Sequence, residues 1–520
     1  MVGPVTLAAL WAMSFASSMR RPVVRSDEVW FLWVAVRANS GTSLYRGVYY
    51  VTTPLAMWLM QGLVWLFGAH LWVERGLASA CLAISVGLVW VIARHLGMRV
   101  RGRVLLAGVV FLYGAPIAHF ASVYSMLAVT LSLGALAMLL RALSSRESGA
   151  FCLSGVLCGA AFATKPNVGL VAFAAVLATL WIIGRDRAPS PPSRLRGAMG
   201  WVAGGFFGAI AATVLPLVFT GNAGAMWGDV FTGKGAAYLQ IEGRRLVPGI
   251  SGSFGLITSS GSPFGLNIAR TVHLVPCVAL ALLVATAWRL RRNRSPAVVA
   301  VFAFALVGVI AAAPDFGPQH LAEAMPLLLG LPIIGFAATG GVRAFASPRW
   351  TTACSATAAV ALVCCIAGVA AWAQHPTVRS HDRVVAELVT QLSGPPMTAR
   401  TREQTRADTA ELRHDTGGTV FLAFPSASYY YLAAHLHDPT AYDYPARSDL
   451  GPHGEHGIID TLHHIRFACV VRRHAHRTPS PAAPLHLDRF IRHSFRLVEH
   501  LNVCDLYEHR GPVLRSSRQP

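Results

Sequence analysis

The chain has 520 residues, 54% of them hydrophobic and only 13% charged, with a mean hydropathy of +0.49. A soluble globular protein carries about 25% charged residues, so an ordinary cytosolic enzyme is excluded. The net charge of +20 would suggest nucleic acid in a soluble protein, but 27 basic and 9 acidic residues fall between Met1 and Gln374, against 17 and 15 from His375 to Pro520. The excess lies between apolar runs, where the positive-inside rule places it, and no nucleic-acid partner is expected. The composition predicts an α-helical polytopic membrane protein over residues 1–374 and a small, nearly neutral domain over 375–520.

The first apolar run covers residues 3–18. It lacks the basic n-region and clear cleavage site of a signal peptide, so a retained helix is expected; cleavage would leave the later topology unchanged. Asp27 and Glu28 follow at its end, two of the nine acidic residues before the tail. Ionisable groups beside the membrane are costly and mark function by default, whereas an ordinary juxtamembrane charge would be neutralised by Arg20, Arg21 or Arg25. Residues 53–69 are apolar and aromatic enough to span, but counting them would invert every later loop. A helix along or dipping into the outer face is expected there, with Trp58, Trp65 and Trp72 at the interface.

Further runs occur at 76–93, 104–120, 123–140, 150–164, 167–184, 198–220, 270–288, 296–313, 321–341 and 351–373, making about eleven near the ~20 residues that cross a bilayer. With the N-terminus inside, the cytoplasmic turns carry Arg94, Arg99, Arg101 and Arg103, then Arg141 and Arg146, then Arg185, Arg187, Arg194 and Arg196. Arg289, Arg291, Arg292 and Arg294 follow, and finally Arg343 and Arg349. Every such turn is basic, which puts the C-terminal domain outside.

The tail reads as α/β, with strands at 420–424, 467–471 and 495–509 and helices at 384–392 and 427–436. Seven of the nine cysteines lie in or beside spans, as small apolar residues do. Cys469 and Cys504 fall in expected strands of an exported domain, so a disulfide is permitted, though strand adjacency cannot be read from one sequence. The tail holds 15 of the 20 histidines, none with the spacing of a closed zinc site, and a solvated basic surface is the favoured reading.

The segment Asp27-Glu28, Gly41-Thr42-Ser43-Leu44-Tyr45 and Thr53-Pro54-Leu55 resembles the GT-C glycosyltransferases, which include the protein O-mannosyltransferases and the lipid A aminoarabinose transferases. Phe162-Ala163-Thr164-Lys165-Pro166 is similar to their Leu-Thr-Lys-Gly-Pro turn. Asp315-Phe316-Gly317-Pro318-Gln319-His320, with Pro326 beyond, is similar to their His-Tyr-x-x-Pro region. Ser428-Tyr429-Tyr430-Tyr431 and Pro439-Thr440-Ala441-Tyr442 resemble a periplasmic domain of some relatives. Two departures stand out: Thr53 replaces the lysine of the aminoarabinose transferases, and residues 119–124 lack the acidic or arginine residue many relatives place there. The resemblance implies an inverting transferase in the plasma (inner) membrane, moving a hexose or pentose from a polyprenyl-phosphate carrier to a lipid, glycan or protein hydroxyl.

Such transfer needs a base for the acceptor's proton and cations for the leaving phosphate. Asp27 is the candidate base, with Glu28 orienting it or the acceptor. Lys165 is the leading cation, one of only two lysines with Lys234; Arg244, Arg245, Arg270 and His320 also map outside. Each arginine has headgroup contact as its plain alternative. No cofactor is required by the sequence; metal dependence stays open, because the aspartate-x-aspartate of oligosaccharyltransferase-type relatives is missing. The rival readings are a transporter or lipid flippase, for which inverted repeats would be expected, and a non-catalytic scaffold.

Overall fold

The computed structural model describes residues 4–19, 26–115, 122–186, 192–232, 275–291, 295–313, 318–339, 399–423, 427–443, 453–470, 485–501 and 504–511. The expected span at 351–373, the expected helix at 384–392, and Lys234, Arg244, Arg245 and Arg270 lie outside them.

The first part is a helical bundle. α1 (Pro4–Met19) runs against α4 (Leu71–His95), with Trp11 Nε1 donating to the Gly76 carbonyl at 3.0 Å and Ser14 to Ser79 at 3.2 Å. Between them lie α2 (Ser26–Asn39) and α3 (Leu55–Phe67). Pro54 opens α3 and Gly68, at φ +85°, ends it. Its 13 residues rise about 20 Å, short of the ~30 Å hydrocarbon core. Trp65 is 78% exposed at its end. Then come α5 (Val100–Gly114), α6 (Val123–Ser145), α7 (Ser148–Phe162), α8 (Pro166–Asp186), α9 (Pro192–Phe219) and the short α10 (Ala223–Trp227), which runs into a π-helical turn at Gly228–Thr232. α11 (Val275–Leu290) and α12 (Pro296–Ala312) follow.

Over the described part of the apolar run expected at 321–341, the helix changes form along its length. It consists of α13 (Pro318–Glu323), a π-helical turn at Pro326–Gly330 and α14 (Leu331–Ala338). Pro326 and Pro332 each lack a backbone donor, which interrupts a regular ladder. Among the described residues, four helices are long and apolar enough to cross a membrane and six more are apolar but shorter. The bundle is therefore that of a membrane protein, with the count of eleven spans left as an expectation.

The described part of the tail opens with α15 (Ala399–Thr416), a mostly polar helix that left no apolar period in the sequence and buries Leu412. A four-stranded sheet has the order β1 (Phe421–Leu422), β2 (Phe467–Val470), β4 (Asp505–His509), β3 (Phe495–His500). β1 is parallel to β2, and the other pairs are antiparallel. The expected single strand at 495–509 is thus a hairpin, with β3 and β4 paired antiparallel. α16 (Ala427–Ala433), α17 (Gly454–Leu462) and α18 (Leu485–Ser494) complete the domain. The permitted disulfide is present: Cys469 in β2 is bonded to Cys504, with Cα atoms 5.8 Å apart.

A tail core of Phe421, Ile458, Leu462, Leu487, Ile491 and Phe495 is separate from the main one. Residues of α16, by contrast, share the core of the bundle, Tyr429, Tyr431 and Leu432 among them. The sheet domain is therefore seated on α2, at one end of the helices.

Candidate active site

The turn between α7 and α8 carries Lys165. Gly169, one turn into α8, packs so closely on α7 that a Cβ there would collide with the Phe162 backbone nitrogen. The chain therefore reverses within three residues, with the Lys165 amide donating to the Ala161 carbonyl at 2.8 Å. The side chain does not reach outward along the helix end. Its ammonium donates to Ser125 Oγ on α6 and to the Ala311 carbonyl on α12, both at 3.0 Å.

Glu323, at the end of α13 and 3% exposed, faces the same junction. One carboxylate oxygen accepts the Ser122 amide at 2.6 Å, and the other lies 3.1 Å from His320 Nδ1. Its charge acts on Lys165 as well as His320. Lys165 and His320 are thus brought together from positions 155 residues apart, through a carboxylate the sequence reading did not single out.

The loop from Asn39 to Pro54 ties this junction to the tail. Thr53 Oγ1 donates to the Phe162 carbonyl at 2.8 Å, and the Leu55 amide to Ala163 at 2.9 Å. Further back, the Tyr49 amide donates to Ala441 at 2.7 Å. Arg37 on α2 pairs with Asp443 and donates to the carbonyls of Thr440, at 2.9 Å, and Gly47, at 3.1 Å. Trp33 Nε1 donates to the same Asp443 oxygen at 2.9 Å, and its ring stacks on Tyr431. Burial and the neighbouring Asp443 hold Asp438 well above the usual carboxylate range, against the pull of Arg37.

Asp27 sits in the first turn of α2. Its neighbour Glu28, the residue expected to orient it or the acceptor, pairs with Arg75. Arg75 Nε donates to Glu28 Oε1 at 2.6 Å and Nη1 to the Ser18 carbonyl at 2.6 Å, with the two side chains 0% and 2% exposed. Breaking a buried pair by removing one partner costs about 3–5 kcal/mol. Arg75→Met is accordingly expected to lower thermal stability of the purified chain by that order. Adding Glu28→Gln should recover part of the loss, and an unchanged melting curve for the single variant would contradict the pairing.

These contacts join the ends of α1, α7 and α12 to the beginnings of α2, α4, α6 and α8 at one end of the bundle. Arg94, Arg99, Arg101, Arg103, Arg141, Arg146, Arg185, Arg196 and Arg289 lie at the opposite helix ends. Among the described residues, no group of three or more His, Cys, Asp or Glu is placed to hold a metal ion.

The family described as dolichyl-phosphate-mannose-protein mannosyltransferase matches residues 51–217. No curated protein matches the chain by sequence. Among solved structures, the archaeal oligosaccharyltransferase AglB from Archaeoglobus fulgidus, in complex with an inhibitory peptide and a dolichol-phosphate, superposes with a TM-score of 0.50 at 12% identity, covering 89% of this chain and 69% of that one. The oligosaccharyltransferase of the same organism in complex with Zn and sulfate gives 0.52 at 13% identity, over 89% and 67%. ArnT from Cupriavidus metallidurans bound to undecaprenyl phosphate gives 0.46 at 15% identity, over 99% of both chains.

The helical bundle with its seated terminal domain has the fold of the archaeal oligosaccharyltransferase, and about a third of the chain is similar to the mannosyltransferase family. That family match covers α3 to α8, most of α9 and the Lys165 turn.

Proposed function

We propose that the chain transfers a hexosyl or pentosyl unit from a polyprenyl-phosphate carrier to a hydroxyl on a lipid, glycan or protein, at the extracytoplasmic face of the plasma membrane. The observation that carries this is the gathering of Lys165, His320 and the start of α2 at the bundle end opposite the basic turns. Lys165 and His320 would hold the donor phosphate, with Arg244, Arg245 and Arg270 as further cations. Lysine suits a single phosphate as a point charge, and arginine as a bidentate clamp.

The acceptor oxygen attacks C1 on the side opposite the phosphate. Its proton passes to Asp27, the C1–O bond breaks with its electron pair going to the phosphate, and the anomeric centre inverts. Glu28 acts at one remove, by fixing α2 through Arg75. The carrier lipid suits the class of fold, and AglB and ArnT have been solved with dolichol-phosphate and undecaprenyl phosphate.

An exported site requires the orientation set by the basic turns, and the Cys469–Cys504 disulfide supports it, since disulfides persist in oxidising compartments. Cysteine labelling of intact cells tests it. Positions 99, 196 and 292 are expected to stay protected, while positions 27 and 234 and the tail react. Labelling of the tail only after permeabilisation would overturn the orientation and the external site together. A flippase would instead show a central pathway between two related halves.

A further inference from the structure

We infer that Asp229, with Tyr45, Tyr50 and Tyr442 around it, forms the subsite for the hydroxyl-bearing acceptor, and that its occupant is an uncharged sugar ring. The inference rests on the transferase reading above but concerns a separate group of residues.

Asp229 lies in the π-helical turn after α10, a rare backbone form that gathers at functional sites. Trp227 and Phe231 occupy the outward face of this segment, their rings 4.6 Å apart, and suit the membrane interface. Asp229 faces the other way and is only 6% exposed. The Tyr50 amide bonds its carboxylate, yet Oδ2 has no hydrogen-bond partner among the described residues. A buried polar atom left unsatisfied is costly, so native structures supply a partner from protein, water or ligand.

The neighbouring backbone is strained as well. Tyr45 holds φ +73°, an outlier for a bulky residue and a feature that clusters at ligand clamps. Its hydroxyl is fixed by the Thr52 carbonyl at 2.8 Å and its ring lies 6.0 Å from that of Tyr50. Tyr442 approaches from the tail, within the electrostatic reach of Asp229, its ring 5.9 Å from Tyr49. Two segments far apart in sequence therefore place tyrosines around one carboxyl with spare bonding capacity.

That combination recognises a polyol. Rings cover the apolar face of a sugar, while the carboxyl accepts its hydroxyls and would repel a phosphate. Burial pushes the Asp229 carboxyl up to about 7, with the Tyr50 amide pulling the other way, so it both donates and accepts near neutrality. The position is apt: Tyr50 contacts Asp229, and Thr53 contacts the Lys165 turn. Three residues of extended chain span ~10 Å, so an acceptor on Asp229 would have its hydroxyl within a sugar or two of the donor phosphate.

The test uses the full chain in lipid nanodiscs and saturation-transfer NMR with the methyl glycosides of mannose, glucose, galactose and arabinose. Wild type is expected to transfer saturation to at least one of them. Asp229→Leu should weaken that glycoside by about tenfold or more, the loss of a charge-assisted hydrogen bond. Asp229→Asn, which keeps the size, should weaken it less, and melting curves establish that both variants fold. Lys165→Met should leave glycoside binding intact while weakening undecaprenyl phosphate. No transfer to any glycoside in wild type, or equal transfer in Asp229→Leu, overturns the inference and leaves Oδ2 to an ordered water. Binding of a glycoside, sensitive to Asp229, by a wild type that takes no undecaprenyl phosphate supports this subsite and overturns only the donor reading.

Discussion

Lys165→Met is expected to reduce transfer from a polyprenyl-phosphate sugar by about 10²–10³-fold, the scale of removing one preorganised group that stabilises charge in a transition state. The phosphate gains negative charge as the glycosidic bond breaks, so a fixed cation helps the transition state more than the bound donor. The competing account is a lysine at a helix end, with its ammonium snorkelling to lipid headgroups. Its geometry argues against that account: Nζ is turned inward between α6 and α12, onto Ser125 and Ala311, beside Glu323. Methionine keeps the length of the side chain and removes the charge, so the variant should remain folded with weakened donor affinity. Lys165→Arg should restore only part of the loss, because a planar fork cannot occupy the same point. Normal turnover in Lys165→Met would return the role of phosphate cation to Arg244, Arg245 and Arg270.

Asp27→Asn should lose about 10²–10⁴-fold in turnover, the contribution typical of a positioned general base. Asparagine preserves size and hydrogen bonding while removing basicity. Asp27 begins α2, the helix that Arg75 holds through Glu28 and that Arg37 ties to the tail. Asn at this position should therefore leave insertion and melting unchanged, in contrast to the stability loss expected for Arg75→Met. Near-normal turnover with an intact fold would remove Asp27 from the mechanism.

The bundle was legible because crossing a bilayer demands long apolar runs, and the basic turns mark the helix ends on one side. Lys165 was legible for a similar reason, since a lysine between two apolar runs is rare enough to notice. Its partners were not. Glu323 reads as one acid near the start of an apolar run, and its bond to the Ser122 amide joins positions 201 apart. Arg75 and Glu28 are 47 apart, and Arg37 and Asp443 are 406 apart. Such pairings depend on how helices pack, which neither periodicity nor composition encodes. The same limit explains the tail: the hairpin strands β3 and β4 were read as one strand because the apolar pattern continues up to and beyond the turn. Asp229 reads in the sequence as a lone acid, and its bond to the Tyr50 amide again joins distant positions.

The central claim is that the chain breaks the bond between a sugar and a polyprenyl phosphate at its outer end. The most direct measurement reconstitutes the full chain in liposomes with undecaprenyl-phosphate hexoses and pentoses and follows both products by mass spectrometry. Release of undecaprenyl phosphate with transfer of the sugar to an added acceptor extract is expected, lost in Lys165→Met and Asp27→Asn. Movement of intact lipid-linked sugar across the bilayer, with no cleavage of any carrier, would contradict the account.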